Sequence, residues 1–273
     1  MFPIKDNIPL ERFPIVTVVL VLVNVFAYLL SIRHGGSFFG GPSSEVTVHY
    51  GAIPYELTHG GSHCDIVNVP SVEGLVQEVG CHGPAGGVSG ASLFAGASSQ
   101  PATWETVFTS MFLHGSFLHI FGNMLFLVIF GPNVEDATGR ARYLAFYLLG
   151  GIVALAAQVL VSPDSTAPTL GASGAIAAVL GGYLLLYPRA RVITLVFIVF
   201  FATIVELPAV LLLGFWFLEQ LWFGAAGLSS SLGGQGVAYF AHIGGFLFGL
   251  ALIRVFVDRG RTDAKRPPPH PVY

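Results

Sequence analysis

Five stretches of this chain are long and apolar enough to cross a lipid bilayer as helices. A spanning helix needs about 20 mostly apolar residues, because the hydrocarbon core is about 30 Å thick. Of the 273 residues, 53% are hydrophobic and only 10% are charged. This composition excludes an ordinary soluble enzyme and a disordered chain. The five stretches are Pro14–Ile32, Phe112–Phe130, Tyr143–Val161, Gly171–Pro188 and Val237–Val257.

A sixth span is predicted within the apolar stretch Arg191–Phe223. This stretch is too long for one span at about 1.5 Å per residue and too short for two spans with a turn. Pro208 suits the first turn of a helix, and the preceding Glu206 suits its N-terminus. We therefore expect a helix over Leu207–Phe223 and an interfacial or re-entrant segment over Val192–Val205.

The basic residues indicate how the six spans are oriented. With the N-terminus inside, eleven of the 12 basic residues fall in inner segments, as the positive-inside bias expects. The predicted fold class is an all-α integral membrane protein: a bundle of six transmembrane helices with both termini cytoplasmic and a large first outer loop. Residues 1–13 form a cytoplasmic segment, 14–257 the membrane domain and 258–273 a cytoplasmic tail. The inner basic residues are Lys5, Arg12, Arg140, Arg142, Arg189, Arg191, Arg254, Arg259, Arg261, Lys265 and Arg266.

Charge and cysteine content exclude several functional classes. A net charge of −3 with 12 basic residues leaves no electrostatic footprint for nucleic acid. Two cysteines exclude a disulfide-framework miniprotein and a four-cysteine zinc module. We expect the first span to be a transmembrane helix and not a cleaved signal peptide, because no small-residue cleavage site directly follows it.

Polar residues inside a membrane point to function, because burying them there is costly. Since alternate spans run in opposite directions, the second, fourth and sixth spans enter from the outer face. Ser173 and His242 then lie within about 10 Å of the outer boundary, and His119 is the eighth residue of its span. The residues of the predicted spans that we single out as functional candidates are Asn24, His114, His119, Asn123, Ser173, Glu219 and His242.

The types of these residues suggest a nucleophilic reaction. Ser173 lies in a run of small residues, Gly171-Ala172-Ser173-Gly174-Ala175, that lets a substrate approach the hydroxyl closely. A serine needs a base to take its proton, and His242 is the only histidine in the last three spans. His119 and Asn123 share one helix face and can both donate hydrogen bonds to an oxyanion. No acidic residue lies at that depth, so the sequence predicts a Ser–His dyad.

Structural roles explain each of these residues when it is taken alone. A small-residue run is an ordinary device for helix packing, and Gly245-xxx-Gly249 has the same pattern. A single membrane histidine can form a hydrogen bond to a neighbouring helix. We expect the same role for Asn24, and we expect Glu219 to lie at a span end. Only the joint arrangement of serine, histidine and donors favours catalysis.

The sequence resembles the rhomboid intramembrane serine proteases over about residues 14–257. Six spans with both ends cytoplasmic are also the basic bacterial form of that family. The motifs that carry the resemblance are His114-Gly-Ser-Phe-Leu-His119-Ile-Phe-Gly-Asn123 in the second span, Gly171-Ala-Ser173-Gly174 in the fourth and Ala241-His242-Ile-Gly-Gly245 in the sixth.

The resemblance implies peptide-bond hydrolysis in or beside the membrane, with Ser173 as nucleophile and His242 as general base. The Ser173 backbone amide, His119 and Asn123 would bind the oxyanion. Glu135 matches a family position that helps to fix the end of the second span. The residues with supporting roles would be His114, near the water entrance, and the glycines Gly171 and Gly174.

Three departures from the family pattern concern specificity and rate. Trp104-Glu105 stands where the family often has Trp-Arg. Ala177 stands where an aromatic side chain often packs on the catalytic histidine, and we expect Tyr239 or Phe240 to replace it. The first outer loop carries an insertion over roughly Thr58–Gln100, which we interpret as structural because no family motif residue lies in it.

The two cysteines lie in this insertion, on the predicted outer face. Paired cysteines outside a cytoplasmic membrane usually oxidise, so we expect a disulfide between Cys64 and Cys81. Free thiols are one alternative. The other is a zinc site, although adjacent His-Cys pairs fit a tetrahedral centre poorly; its ligands would be His63, Cys64, Cys81 and His82.

Three functions are compatible with a chain of this kind. The favoured one is an intramembrane serine endopeptidase of the cell membrane that acts on membrane-protein substrates near the outer face, without a cofactor or an obligate partner. The second is a catalytically weak or silent rhomboid-like protein that binds transmembrane segments. The third is a small-solute transporter or channel. Two observations disfavour it: the predicted site lies near one face of the membrane, and the sequence shows no internal repeat.

Overall fold

The computed structural model describes residues 2–71, 74–82, 100–198, 201–229 and 237–258. Within these ranges the chain is mostly helical, with five short strands. A short 3-10 helix, Ser110–Phe112, precedes α5. The strands and helices are β1 (Phe2–Asp6), α1 (Ile15–Ser31), α2 (Ser44–Tyr50), α3 (Pro54–Thr58), β2 (His63–Ser71), β3 (Gly74–His82), α4 (Thr103–Thr109), α5 (Phe117–Thr138), α6 (Arg140–Val161), α7 (Ser173–Leu186), β4 (Arg191–Ile198), β5 (Phe201–Pro208), α8 (Ala209–Ser229) and α9 (Tyr239–Phe256).

Four of these helices, α5, α6, α8 and α9, are long and apolar enough to cross a membrane. The helices α1 and α7 are also apolar but shorter, with 17 and 14 residues. The predicted bounds of the second span were wrong, because the helix begins at Phe117 and continues past Phe130 to Thr138. Pro132 lies inside that helix without ending it.

The expectation of an all-α fold was wrong for the segment between α7 and α8. The predicted interfacial or re-entrant segment forms an antiparallel hairpin of β4 and β5, to which β1 adds as a third strand in the order β1-β4-β5. Its β-branched and aromatic residues favour a strand over a helix. Pro208 ends β5 instead of lying in the first turn of α8, which begins at Ala209.

The chain divides into two compact units. The first consists of residues 1–22, 122–154 and 173–273, and the second of residues 23–121 and 155–172. In the first unit, α7 packs against α9 with their backbones in close contact. A Cβ atom added at Gly245 would collide with the carbonyl oxygen of Gly174, and one at Gly249 would collide with that of Ala178. The packing role proposed for Gly245 and Gly249 is therefore confirmed.

A buried carboxylate in the first unit holds the start of α1. Glu135 is 3% exposed and accepts hydrogen bonds from the N–H groups of Val16 and Thr17, at 3.0 and 2.8 Å. It also accepts the Thr17 hydroxyl at 2.8 Å. The first N–H groups of a helix have no partner within the helix, and a negative charge there is favourable. Glu135 lies in the last turn of α5, near the end of that helix, and fixes the start of α1.

A second buried carboxylate, also in the first unit, anchors β1. Asp6 accepts hydrogen bonds from Asn133 Nδ2 of α5 and from the Tyr183 hydroxyl of α7, both at 2.6 Å. Burial raises the pKa of Asp6, and its hydrogen bonds and the nearby Lys5 oppose that rise. The strand is therefore held to the helices by a satisfied polar contact.

The described part of the insertion, in the second unit, is ordered around a β-hairpin. The strands β2 and β3 pair in antiparallel register, with Cys64 opposite Cys81, and these two cysteines form a disulfide. Cys64 is buried against Val48 and Ile53, and its N–H donates to the Glu56 carboxylate at 2.6 Å. A zinc site would need the two thiolates, which the disulfide does not offer. The side chain of His82 and residues 83–99 lie outside the described residues.

Replacing Glu135 should weaken the fold. In Glu135→Ala, the N–H groups of Val16 and Thr17 lose their buried acceptor, which costs about 1–3 kcal/mol in the free energy of unfolding. A thermal melt in detergent measures the change. The matched control is Glu45→Ala, which removes an exposed carboxylate from the first turn of α2. Equal melting temperatures for the two variants would contradict the capping role.

The disulfide can be tested by mass. The unreduced, denatured and metal-free protein should resist thiol alkylation and weigh two protons less than the reduced protein. Reduction should destabilise the insertion by about 3 kcal/mol, the chain-entropy value for a loop of this size. Two alkylated thiols before reduction would contradict the disulfide, and stoichiometric zinc in the purified protein would favour the metal alternative.

Candidate active site

Ser173 is the first residue of α7, in the first compact unit. The chain turns just before it: Gly171 has a φ of 118°, a backbone conformation that glycine adopts without strain. Because Ser173 begins the helix, its backbone N–H has no acceptor within the helix. The side chain is half-buried. Ser173 thus offers both its hydroxyl group and a backbone N–H that has no acceptor within the helix.

His242 is the fourth residue of α9 and lies beside this serine. Its Nε2 atom is 2.8 Å from Ser173 Oγ, a hydrogen-bond distance. The contact joins α7 to α9, which pack closely where Gly245 meets the Gly174 carbonyl, one turn from His242. The structure therefore brings together the two residues that the sequence predicts as nucleophile and base.

A glutamine occupies the other side of the His242 ring. Gln220, on α8, has its Oε1 atom 2.8 Å from His242 Nδ1 and is 8% exposed. Gln220 was not predicted as a site residue, because it lies in the apolar sixth span beside Glu219 and is 22 residues away from His242 in the chain. The available signal was its residue type, since a glutamine within a span needs a hydrogen-bond partner.

The aromatic side chain that contacts His242 is also on α8. The ring of Trp216 lies 5.8 Å from the His242 ring, centroid to centroid. Tyr239, one of the two predicted substitutes for the missing aromatic at Ala177, instead stacks on Phe223 at 5.8 Å. Trp216 and Gln220 are four residues apart, so they share one face of α8.

Asn123 belongs to the same compact unit as Ser173 and His242. It is the seventh residue of α5 and is 8% exposed. Its Nδ2 atom donates no hydrogen bond to any residue that the structure describes. A buried amide donor without an acceptor costs free energy, and such a group is suited to bind a ligand oxygen.

The two remaining predicted residues, His114 and His119, belong to the second unit. Their rings are 5.1 Å apart and nearly perpendicular. His119 Nδ1 accepts the Gly115 N–H at 3.4 Å, so its Nε2 carries the proton and can donate. His114 precedes α5. Its pKa is lowered to about 3 by burial, the largest cause, and by the nearby His119, while the Phe112 backbone opposes the shift. His114 is therefore uncharged at neutral pH.

The predicted depths of these residues need correction. His119 is the third residue of its helix, not the eighth, because α5 begins at Phe117. Ser173 and His242 are the first and fourth residues of α7 and α9, instead of the third and sixth. Glu219 lies in the middle of α8 and not at a span end, because that helix continues to Ser229. All the site residues are closer to the helix starts than predicted.

The comparisons with known proteins agree on one family. Residues 101–259 match the Rhomboid domain family model. The chain is 31% identical over 151 residues to rhomboid protein 1, mitochondrial, of Saccharomyces cerevisiae, with 53% of this chain and 40% of that protein covered. It is 32% identical over 144 residues to presenilin-associated rhomboid-like protein A, mitochondrial, of Danio rerio, covering 52% and 34%.

A bacterial relative shows a shorter match. The chain is 33% identical over 81 residues to the putative rhomboid protease YdcA of Bacillus subtilis, covering 30% of this chain and 40% of that protein. In each of these three comparisons the match spans less than half of the relative's length. The family-model match includes Ser173, His242, Gln220 and Asn123.

Proposed function

The chain belongs to the rhomboid family, and on that premise we propose that it is a serine endopeptidase that cleaves membrane-protein substrates in or near the outer part of the bilayer. The observation that carries the proposal is the 2.8 Å contact between Ser173 Oγ and His242 Nε2 at the start of α7. A serine hydroxyl is a weak nucleophile until an adjacent base accepts its proton. No cofactor is needed for this chemistry.

The reaction proceeds in two halves. His242 Nε2 takes the Ser173 hydroxyl proton while Oγ attacks the carbonyl carbon of the scissile peptide, which gives a tetrahedral oxyanion. The imidazolium then donates its proton to the leaving nitrogen, the C–N bond breaks, and an acyl ester remains on Ser173. Water, deprotonated by His242, attacks the ester, and Ser173 recovers its proton.

Two donors of the first unit are proposed to stabilise the oxyanion. The Ser173 backbone N–H is unpaired within its helix because it begins α7. Asn123 has a buried Nδ2 donor with no acceptor among the described residues. Preorganised donors of this kind act where negative charge develops in the transition state.

The proposed topology has six spans with both termini cytoplasmic. Four helices have the length to span, and α1 and α7 would supply the other two spans. The hairpin of β4 and β5 then lies at the cytoplasmic boundary, where its exposed Phe197, Phe201 and Ile204 contact the membrane interface. We place the protein in the cell membrane with the site toward the outer face, although some relatives bear mitochondrial names.

Removal of either reacting group should abolish cleavage. We expect Ser173→Ala and His242→Ala each to lose nearly all turnover of a single-span substrate in liposomes, and the double variant to lose little more, because nucleophile and base act as one unit. A fluorophosphonate probe should label the wild type and the control Ser162→Ala, but not Ser173→Ala. A folded wild type without cleavage or labelling would indicate the silent rhomboid-like alternative.

Removal of the Asn123 donor should lower kcat more than it raises KM. An oxyanion donor acts chiefly in the transition state, and its loss costs about 10²–10³ in kcat. Asn123→Ala tests this in a turnover assay, with Asn123→Asp as the size-matched variant that lacks the donor. If Asn123 only packs α5, the melting temperature falls while the folded enzyme keeps its kcat, so a melt is recorded for each variant.

A further inference from the structure

Hydrogen bonds hold the His242 ring from both sides and connect Ser173, His242 and Gln220 in one series. Nε2 meets Ser173 Oγ and Nδ1 meets Gln220 Oε1, each at 2.8 Å. Neutral imidazole carries one proton, so one ring nitrogen donates and the other accepts. Which nitrogen accepts decides whether His242 can act as a base toward Ser173.

The orientation of the Gln220 amide determines this assignment. Its Nε2 donates to the backbone carbonyl of Trp216, one helical turn earlier, at 3.2 Å. The amide oxygen therefore faces His242 and can only accept. Nδ1 of His242 must then carry the proton, which leaves the Nε2 lone pair to accept from Ser173 Oγ. In the flipped orientation the amide would place an N–H against Nδ1 and select the unreactive tautomer.

We propose that Gln220 is a positioning residue that holds His242 in the tautomer and orientation of a general base, so that the site is a Ser–His–Gln triad and not a dyad. This inference rests on the proposed protease function. The amide is buried and uncharged, and it belongs to a helix other than those of Ser173 and His242. Gln220 thus supplies the third member that a Ser–His dyad lacks.

The environment explains why a neutral amide serves here. Burying a carboxylate in a membrane protein is costly unless it is paired, whereas an amide can be satisfied by two hydrogen bonds. A related arrangement, Cys-His-Asn, occurs in papain-like proteases, where the amide orients the histidine. Ser173, Gln220 and Trp216, the three side chains described above against the His242 ring, are all uncharged.

Trp216 supports the same orientation. Its ring lies 5.8 Å from that of His242 at an interplanar angle of 36°. An aromatic face at this distance restricts rotation of the imidazole and attracts the imidazolium that forms during the reaction. The Trp216 carbonyl therefore holds the Gln220 amide, and the Trp216 ring holds the His242 imidazole. Both residues that position His242, Trp216 and Gln220, belong to α8.

The test compares three variants in the full-length protein. Gln220→Met keeps the length of the side chain but replaces the amide oxygen by a thioether, which is only a weak acceptor. Gln220→Glu keeps a strong acceptor and adds a negative charge. The control is Glu219→Gln, which changes the neighbouring polar side chain of α8 outside the hydrogen-bonded chain. Each variant is assayed for kcat, KM and the pH dependence of kcat/KM, and its melting temperature is recorded.

We expect Gln220→Met to lower kcat about 10- to 100-fold with little change in KM. This loss is a part of the rate acceleration of about 10²–10⁴ that a positioned acid or base contributes by proton transfer. Gln220→Glu should retain more activity and move the acidic limb of the pH profile to higher pH, because a carboxylate favours the protonated imidazole. Glu219→Gln should behave as the wild type. Histidine-labelled protein should show the His242 proton on Nδ1 by NMR in the wild type and lose this preference in Gln220→Met.

Two outcomes would overturn the inference. One is a Gln220→Met enzyme with wild-type kcat and an unchanged His242 tautomer; the other is an unshifted pH profile in Gln220→Glu. If Gln220→Met does not fold, the pH profile of Gln220→Glu decides. Failure of the proposed protease function would give different results. Cleavage would then persist in Ser173→Ala or be absent from the folded wild type, and in either case Gln220 would have no role in catalysis.

Discussion

The close approach of two helix backbones determines where Ser173 and His242 lie. In the first unit α7 and α9 meet at glycines, and a Cβ atom at Gly245 would occupy the position of the Gly174 carbonyl oxygen. In a membrane there is little hydrophobic drive between helices, so close packing of small residues supplies much of the attraction. The first turns of α7 and α9 then hold the two side chains at hydrogen-bond distance. The packing and the catalytic interpretations of these small residues are thus both valid, because the packing creates the site.

Two buried carboxylates elsewhere in the first unit follow a common physical rule. Glu135 is satisfied by the start of α1, and Asp6 is satisfied by Asn133 and Tyr183. Each contact joins segments that are more than a hundred residues apart in the chain. A polar group in an apolar surrounding must find a partner, so these residues act as specific connections between elements whose apolar faces alone would not fix a register. Asn123 differs, since its buried Nδ2 has no acceptor in the described structure.

The sequence was informative where residue type and spacing carry the signal. Apolar runs located the helices, and the small-residue run around Ser173 together with His242 indicated the reacting pair. It was less informative where tertiary contacts decide. The start of α5 at Phe117 places His119 closer to the helix start. The β-branched and aromatic residues of Val192–Val205 favour strands, but the pairing of β4 with β5 and with β1 is a tertiary contact. The residue type of Gln220 indicates a need for a hydrogen-bond partner, but that partner lies on another helix, so the sequence alone does not identify it.

The neighbouring positions Glu219 and Gln220 show why charge and position matter together. Adjacent residues on a helix point in different directions, so only Gln220 shares the face of Trp216 and reaches His242. A carboxylate at that position would stabilise the imidazolium before the reaction as well as during it. In a low-dielectric site this would leave more of the histidine protonated, and a protonated histidine cannot accept the Ser173 proton. An amide selects the same tautomer without that penalty, and it needs no counter-charge within the membrane. The physical demands of the bilayer and of general-base catalysis therefore favour the same neutral residue.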